Sequence, residues 1–272
     1  MSLRSCPQSQ RMRHRSDTSR RAADRGFIWI VLLLGVASTP QMLHSQYRKW
    51  SITAAVGYNR LNLDAVDEKN QSDVDGWGNQ GIPVGTFASV QRSPFYSAGV
   101  RYRYDREIAI SLTASYWSKT VSSSYDGPDA VLHLDRGVGS TDVVLGIAYY
   151  PSARPYILEW YIQTSLGLAM ARASARAAGS RMRKDGSVLI PVLFVDTEGT
   201  SAKSKMSVGL SMGADMRLFG GFSLTMAAGY RFAQLGILES DITRFGQLSK
   251  EPTTIEFDYS GVQVSAGFLF EL

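Results

Sequence analysis

Cysteine is nearly missing: the 272-residue chain has one, Cys6, and it lies ahead of the first apolar run. Once a leader is removed, no disulfide, thiol nucleophile or thiolate metal site remains. Cys6 also lies on the wrong side of that run to be the lipid-bearing cysteine of a lipoprotein. Histidine is almost as scarce. Of three, only His133 lies beyond residue 45, which leaves little material for a histidine-based catalytic centre. No apolar run is long enough to cross about 30 Å of hydrocarbon as a helix. Nor is there an excess of one charge in the body of the chain. Seven of the 29 basic residues (Arg4, Arg11, Arg13, Arg15, Arg20, Arg21 and Arg25) fall within residues 1–45, with only Asp17 and Asp24 of the 24 acids. Residues 46–272 therefore carry 22 of each sign, so no electrostatic case for nucleic acid exists.

The arginine-rich start runs into "GFIWIVLLLGVA" and then small residues, the layout of a secretion signal. Cleavage is expected after Ser38 or after Ser45, the latter preferred. Residues 1–45 then form a signal peptide and residues 46–272 a single domain. Arg20-Arg21 lacks the apolar residues a twin-arginine signal places next, since Ala23 and Asp24 stand there, so general export is expected.

From residue 46 onward the dominant period is two, the signature of strands. "KWSITAAVGYNRL" sets Trp50, Ile52, Ala54, Val56 and Tyr58 on one face. Seven more runs alternate likewise: "FYSAGVRYRYD", "IAISLTASYW", "DVVLGIAYY", "ILEWYIQTSLGLAMA", "KMSVGLSMGADMRL", "FSLTMAAGYRF" and "YSGVQVSAGFLFEL". Each is long enough to cross a bilayer at a tilt. The connections alternate too. Long ones (Asn62–Ser93, Ser118–Thr141, Arg172–Ser204, Ala233–Thr254) interleave with short ones (Asp105–Glu107, Pro151–Pro155, Phe219–Gly221). Short turns on one side and long loops on the other are the barrel rule for outer membranes. The second face is crowded with Gly, Ser, Thr and Ala, suited to a narrow filled lumen. Aromatics at run ends (Trp50, Tyr58, Tyr96, Tyr104, Tyr149, Phe222, Phe232, Phe270) suit interfacial girdles. The expected fold is therefore all-β: an eight-stranded antiparallel up-and-down transmembrane β-barrel with long extracellular loops and short periplasmic turns. A soluble lipocalin-like barrel, apolar face inward, is the structural alternative; it accounts for neither the loop asymmetry nor the closing strand.

On these runs the chain resembles the small outer-membrane β-barrels of the OmpA-transmembrane and PorT-like kind, over roughly residues 46–272. The resemblance implies a C-terminal insertion signal read by the barrel assembly machinery, which Gly267, Phe270 and Leu272 fit in spacing. Leu272 stands where Phe is usual, and Ala266 where a polar residue is common. It also implies a location in the outer membrane of a Gram-negative-type bacterium.

The lumen-facing charges are Arg101, Arg103, Glu159, Asp215, Arg217 and, nearer the other end, Arg231. Buried charges demand partners, so an ion-pair network plugging the barrel is expected, a narrow ion path being the functional alternative. Arg172, Arg176, Arg181, Arg183 and Lys184 in the third long loop form a candidate contact for lipopolysaccharide phosphates. The same loop holds "VLIPVLFV", which either extends its hairpin beyond the membrane with Pro191 at a bulge or docks a protein partner. His133 neighbours Asp135, with Ser122 to Ser124 as conceivable hydroxyl partners. The first loop is acidic (Asp64, Asp67, Glu68, Asp73, Asp75) but lacks EF-hand spacing, so solvation is expected rather than calcium. No catalytic constellation, cofactor or metal site emerges. The chain is expected to be a non-enzymatic barrel with a structural or interaction role through its surface loops. The alternatives are a narrow porin or transport- or secretion-associated subunit and, third, an envelope enzyme using His133.

Overall fold

A computed structural model describes residues 50–151, 157–185 and 188–272, and their side chains except at 183–185, 188–191, 254 and 255. The expected signal peptide over 1–45 lies outside the described residues, as does most of the expected turn Pro151–Pro155. The elements are β1 (Trp50–Leu61), α1 (Asp64–Asn79), β2 (Arg92–Arg103), β3 (Ile108–Asp126), β4 (Ala130–Tyr149), β5 (Leu158–Asp185), β6 (Val188–Phe219), β7 (Phe222–Phe232), β8 (Gln234–Arg244), β9 (Gln247–Asp258) and β10 (Gly261–Glu271).

Among the described residues, eight of the ten strands close a ring, β1-β2-β3-β4-β5-β6-β7-β10, every pairing antiparallel. The ring shuts where β1 meets β10, from Ser51 opposite Glu271 to Leu61 opposite Gly261. Closure removes every open edge along that seam, which a sheet in hydrocarbon requires. The outer face carries Val56, Leu112, Leu145, Leu166, Leu210 and Val264, all at least half exposed. That belt is rimmed by aromatics. Trp50, Tyr104, Tyr149 and Phe222 stand towards the short-turn end; Tyr58, Tyr96, Tyr116, Tyr230 and Phe232 stand towards the other. A band of this make-up faces lipid.

Turn chemistry explains the short connections. Asp105 accepts backbone N–H bonds from Glu107 (2.8 Å) and Ile108 (2.6 Å), pinning the β2–β3 turn. At the β6–β7 turn Gly220 and Gly221 both have positive φ (52° and 88°), the requirement of a tight two-residue hairpin.

Three of the four expected long loops are instead strands. Ser118–Thr141 is the continuation of β3 and β4 about a turn at residues 127–129. Arg172–Ser204 continues β5 and β6, the former some 15 residues past Met170, or about 50 Å of strand at ~3.3 Å per residue. Its register shift lies between Gly179 and Ser180, opposite Val195 and Leu193, so Phe194 bulges; Pro191, the expected bulge, pairs in register with Met182. Ala233–Thr254 is mostly the β8–β9 hairpin, turning on Phe245 (φ 48°) and Gly246 (φ 83°). Its β8 rejoins β6 from Thr197 to Ser201, while β7 leaves β6 at Val208. Ala202–Ser207 therefore has no ladder on that side, and Lys203 Nζ reaches across to the Ile237 carbonyl at 2.8 Å.

The first long connection holds α1, another departure from the expected loop. Asp64 and Asp67 in its first turn favour the positive end of the helix dipole. Lys69–Asp73 and Gln71–Asp75 bond at i, i+4 spacing (2.8 and 3.0 Å). Val66, Asn70 and Val74 form its buried face, inside the region enclosed by the extended strands.

Candidate functional site: a barred lumen and the cup beyond it

Two polar layers cross the lumen. Near the short-turn end Arg101 donates to Asp215 (2.6 Å) and to the Tyr150 hydroxyl (2.7 Å), which itself donates to Asp215 (2.8 Å). Beside them Glu159 accepts from Arg103 (2.7 Å) and Arg217 (3.2 Å). Arg103 lies over the Tyr150 ring at 4.3 Å and Arg101 over the Tyr161 ring at 5.1 Å. The cause is register. Glu159 faces Asp215 directly across β5 and β6, and two adjacent carboxylates require cations aimed at them from the opposite wall. Space within this layer amounts to about 30 Å³.

The second layer stands towards the other end. Arg231 of β7 pairs with Asp142 of β4 and donates twice to the Tyr259 carbonyl (2.9 and 3.3 Å). Ser140 donates to Asp142 at 2.5 Å. Trp117, Tyr259 and Phe95 pack alongside. Between the layers lies a chamber of about 170 Å³ lined by hydroxyls and amides, including Ser97, Thr113, Gln163 and Gln263.

So Arg101, Arg103, Glu159, Asp215 and Arg217 meet in one place, and Arg231 belongs to a separate layer. Asp142 and Tyr150, essential partners in these layers, were not among the candidates. Their signal was parity: Asp142 shares the inward face with Val144 and Gly146, and Tyr150 continues it past Ala148.

Past the second layer the inward faces turn apolar. Leu132, Leu134, Val121 and Val138 are buried with Val66, Val74, Ile82 and Val90 from α1 and its flanks. The helix is tied down at Asp67, which accepts from the Ser89 hydroxyl (2.5 Å) and Val90 N–H (3.0 Å), and at Asp64, which accepts from Gln91 (2.6 Å). Beneath it a cup of about 550 Å³ remains, bounded by α1, β4, β5, β6, β8 and β9. Asp73 joins helix to wall by accepting from both Lys69 and Arg136 (2.8 and 2.7 Å). The acids of this segment thus serve helix and tethers. Among the described residues no cluster of three or more metal-type ligands forms.

His133 and Asp135 share the outer face of β4, with Ser124 and Ser122 directly opposite on β3. That surface is open, no hydrogen bond joins these four, and none of them lines the lumen chamber or the cup. Arg172 and Arg176 also point outward, from β5; Arg181 is exposed beyond the bulge, and the side chains of Arg183 and Lys184 lie outside the described residues. Arg181 is nine residues past Arg172, about 30 Å along a strand. Phe270 packs against Phe222 in a tilted arrangement, ring centroids 4.7 Å apart, on the lipid side. Gly267 faces inward, where a Cβ would collide with the Ala54 carbonyl.

No family model and no curated protein matches the sequence. Among solved structures the chain is similar to a major outer membrane protein from Thermus thermophilus (10% identity, 84% of this chain and 99% of that one, TM-score 0.46). It is also similar to the outer membrane protein OprG from Pseudomonas aeruginosa (10%, 82% and 94%, 0.43) and to Neisserial surface protein A (10%, 84% and 100%, 0.36). At such identities no residue role passes from them to this chain.

Proposed function

We propose that this chain is an integral outer-membrane barrel that conducts no solute and acts through the structure it carries beyond the lipid, in a structural or interaction role. The observation that carries the reading is the lumen barred twice, by Arg101–Asp215–Tyr150 with Glu159, and by Arg231–Asp142. A permeant ion would have to displace two sets of buried, charge-matched groups at several kcal/mol each. Export to the outer membrane is supported by the leader-like residues 1–45 and by a closed barrel with a lipid-facing belt between aromatic rims.

The work is assigned to the hairpins and α1. Val192 and Leu193 stay exposed at the β5–β6 tip and form a docking point for a protein partner, while Phe194 and Val195 pack inward. Lipopolysaccharide phosphates are met by Arg172 and Arg176; Arg181 is too far along the strand for the same headgroup row. Gly267, Phe270 and Leu272 serve recognition by the assembly machinery. His133, on an open sheet face with neither acid nor hydroxyl bonded to it, gives no support to catalysis. Purified protein in planar bilayers tests the reading: no stable unitary current is expected, and a steady ohmic channel would replace it with the narrow porin.

A further inference from the structure

We propose that the cup under α1 binds a small amphipathic anion, an apolar body bearing one carboxylate or sulfonate. The inference rests on the proposed function only in taking the cup as a dead-end compartment beyond a closed lumen. Three observations converge. The first is size and lining: about 550 Å³, walled by Trp77, Leu134, Val138 and by Ala173 and Ala175, whose small side chains leave the space between β5 and the helix unfilled. Cavities of this volume with mostly apolar walls and a few polar groups are the usual form of small-molecule sites.

The second is charge. Lys69 and Arg136 share one carboxylate, Asp73, so one positive charge at the wall has no counterion within the group. Across the cup Arg244 and Glu251 neutralise each other at 3.1 Å. The third is a missing bond. Asn70, 3% exposed on the buried face of α1 and lining the same cup, has an amide nitrogen with no acceptor. An unpaired buried donor carries an uncompensated desolvation cost, which a ligand oxygen would relieve. Lys69, Asn70 and Asp73 occupy one turn of α1, and Arg136 meets them from β4. An anionic head bonded to Arg136 and Asn70, with its apolar body along Trp77 and Leu134, satisfies all three at once. The rim is reachable from solvent, the Lys69 and Arg244 side chains being 44% and 57% exposed.

The test is calorimetric titration of the whole barrel in zwitterionic nanodiscs with 2-naphthoate and with its neutral analogue 2-naphthalenemethanol, empty nanodiscs supplying the baseline. Saturable one-to-one binding of 2-naphthoate is expected, with the alcohol at least about tenfold weaker. Arg136→Gln, which leaves Asp73 paired to Lys69, is expected to weaken 2-naphthoate tenfold or more and leave the alcohol unchanged. Ala173→Phe, which fills the cup from a position paired with uncharged Val138 and Ser201, is expected to abolish both. Heat-modifiable migration on gels verifies that each variant is folded. Equal affinity for acid and alcohol, no saturable heat with either, or unchanged binding in both folded variants overturns the proposal. A barrel that conducts yet binds 2-naphthoate sinks only the closed-lumen reading; a silent barrel that binds neither probe sinks only this one.

Discussion

Along β3, β4 and β5 the same strands obey opposite rules at their two ends. In the membrane band of β4, outward Val143, Leu145, Ile147 and Tyr149 are exposed and apolar, while inward Asp142, Gly146 and Ala148 are small or charged. Beyond the band, outward His133, Asp135, Gly137 and Thr141 are polar or small, and inward Leu132, Leu134 and Val138 are buried. On β5 the change falls between Met170 and Arg172, and on β3 between Tyr116 and Trp117. Backbone parity never breaks; the solvent changes. Where lipid surrounds the barrel, apolar side chains face out and polar groups must satisfy one another inside. Where water surrounds it, the hydrophobic effect operates again and the apolar side turns in.

The sharpest way to break this comparison is to unpair a charge in the second lumen layer. Arg231→Ala leaves Asp142 buried without a cation and is expected to cost about 3–5 kcal/mol in urea unfolding from vesicles. The double variant Arg231→Ala/Asp142→Ala should recover much of that loss. Next, Leu134→Ala should cost about 2–5 kcal/mol, because beyond the band an inward leucine is core. Its effect belongs in the hairpin region, read as faster proteolysis there while the band stays protected. Leu145→Arg and Ser174→Arg both place a cation on the outer face. The first, at lipid depth, should cost about 2–4 kcal/mol, and the second, past Arg172, about 0–1. Equal costs would mean that lipid does not solvate the lower half.

The smallest expected effect concerns Asp258, which lies beyond the band. Burial pushes its carboxyl up, but hydrogen bonds from Ser260, Asn62 and Gln234 outweigh this and hold it below the usual carboxylate range. Because its folded value is depressed, its contribution is present above the unfolded aspartate value. It is lost as pH falls through the lower, folded one. Amide exchange at the junction of β9 with the segment after β1 should quicken in that acid window, and Asp258→Asn should abolish the change.

Much of the lower barrel was legible in the residues, because a period of two with an exposed apolar row has few other meanings. The upper strands were missed for a definite reason. "VSSSYD" and "LHLDRGVGST" keep the period but reverse its polarity, so a search for outward apolar rows ends at Trp117 and resumes at Asp142. The "FG" pair at residues 245–246, a two-residue turn between alternating segments, marked the β8–β9 hairpin but lacks the usual Asn or Asp. Helix α1 carries Gly76 and Gly78 and a weakly apolar face, which mask the local support from Asp64, Asp67 and the i, i+4 pairs. Its burial against Leu134 and Val138 is what stabilises it.

What this sequence determined unaided is which side chains share a face and how many strands can cross a bilayer, since both follow from local backbone geometry and side-chain chemistry. Only the closed fold decided which charges meet. Arg231 and Asp142 stand 89 residues apart in sequence, and Asp73 and Arg136 stand 63. Such partners are chosen by register around the ring and by the seating of α1, and no short stretch of the chain encodes either.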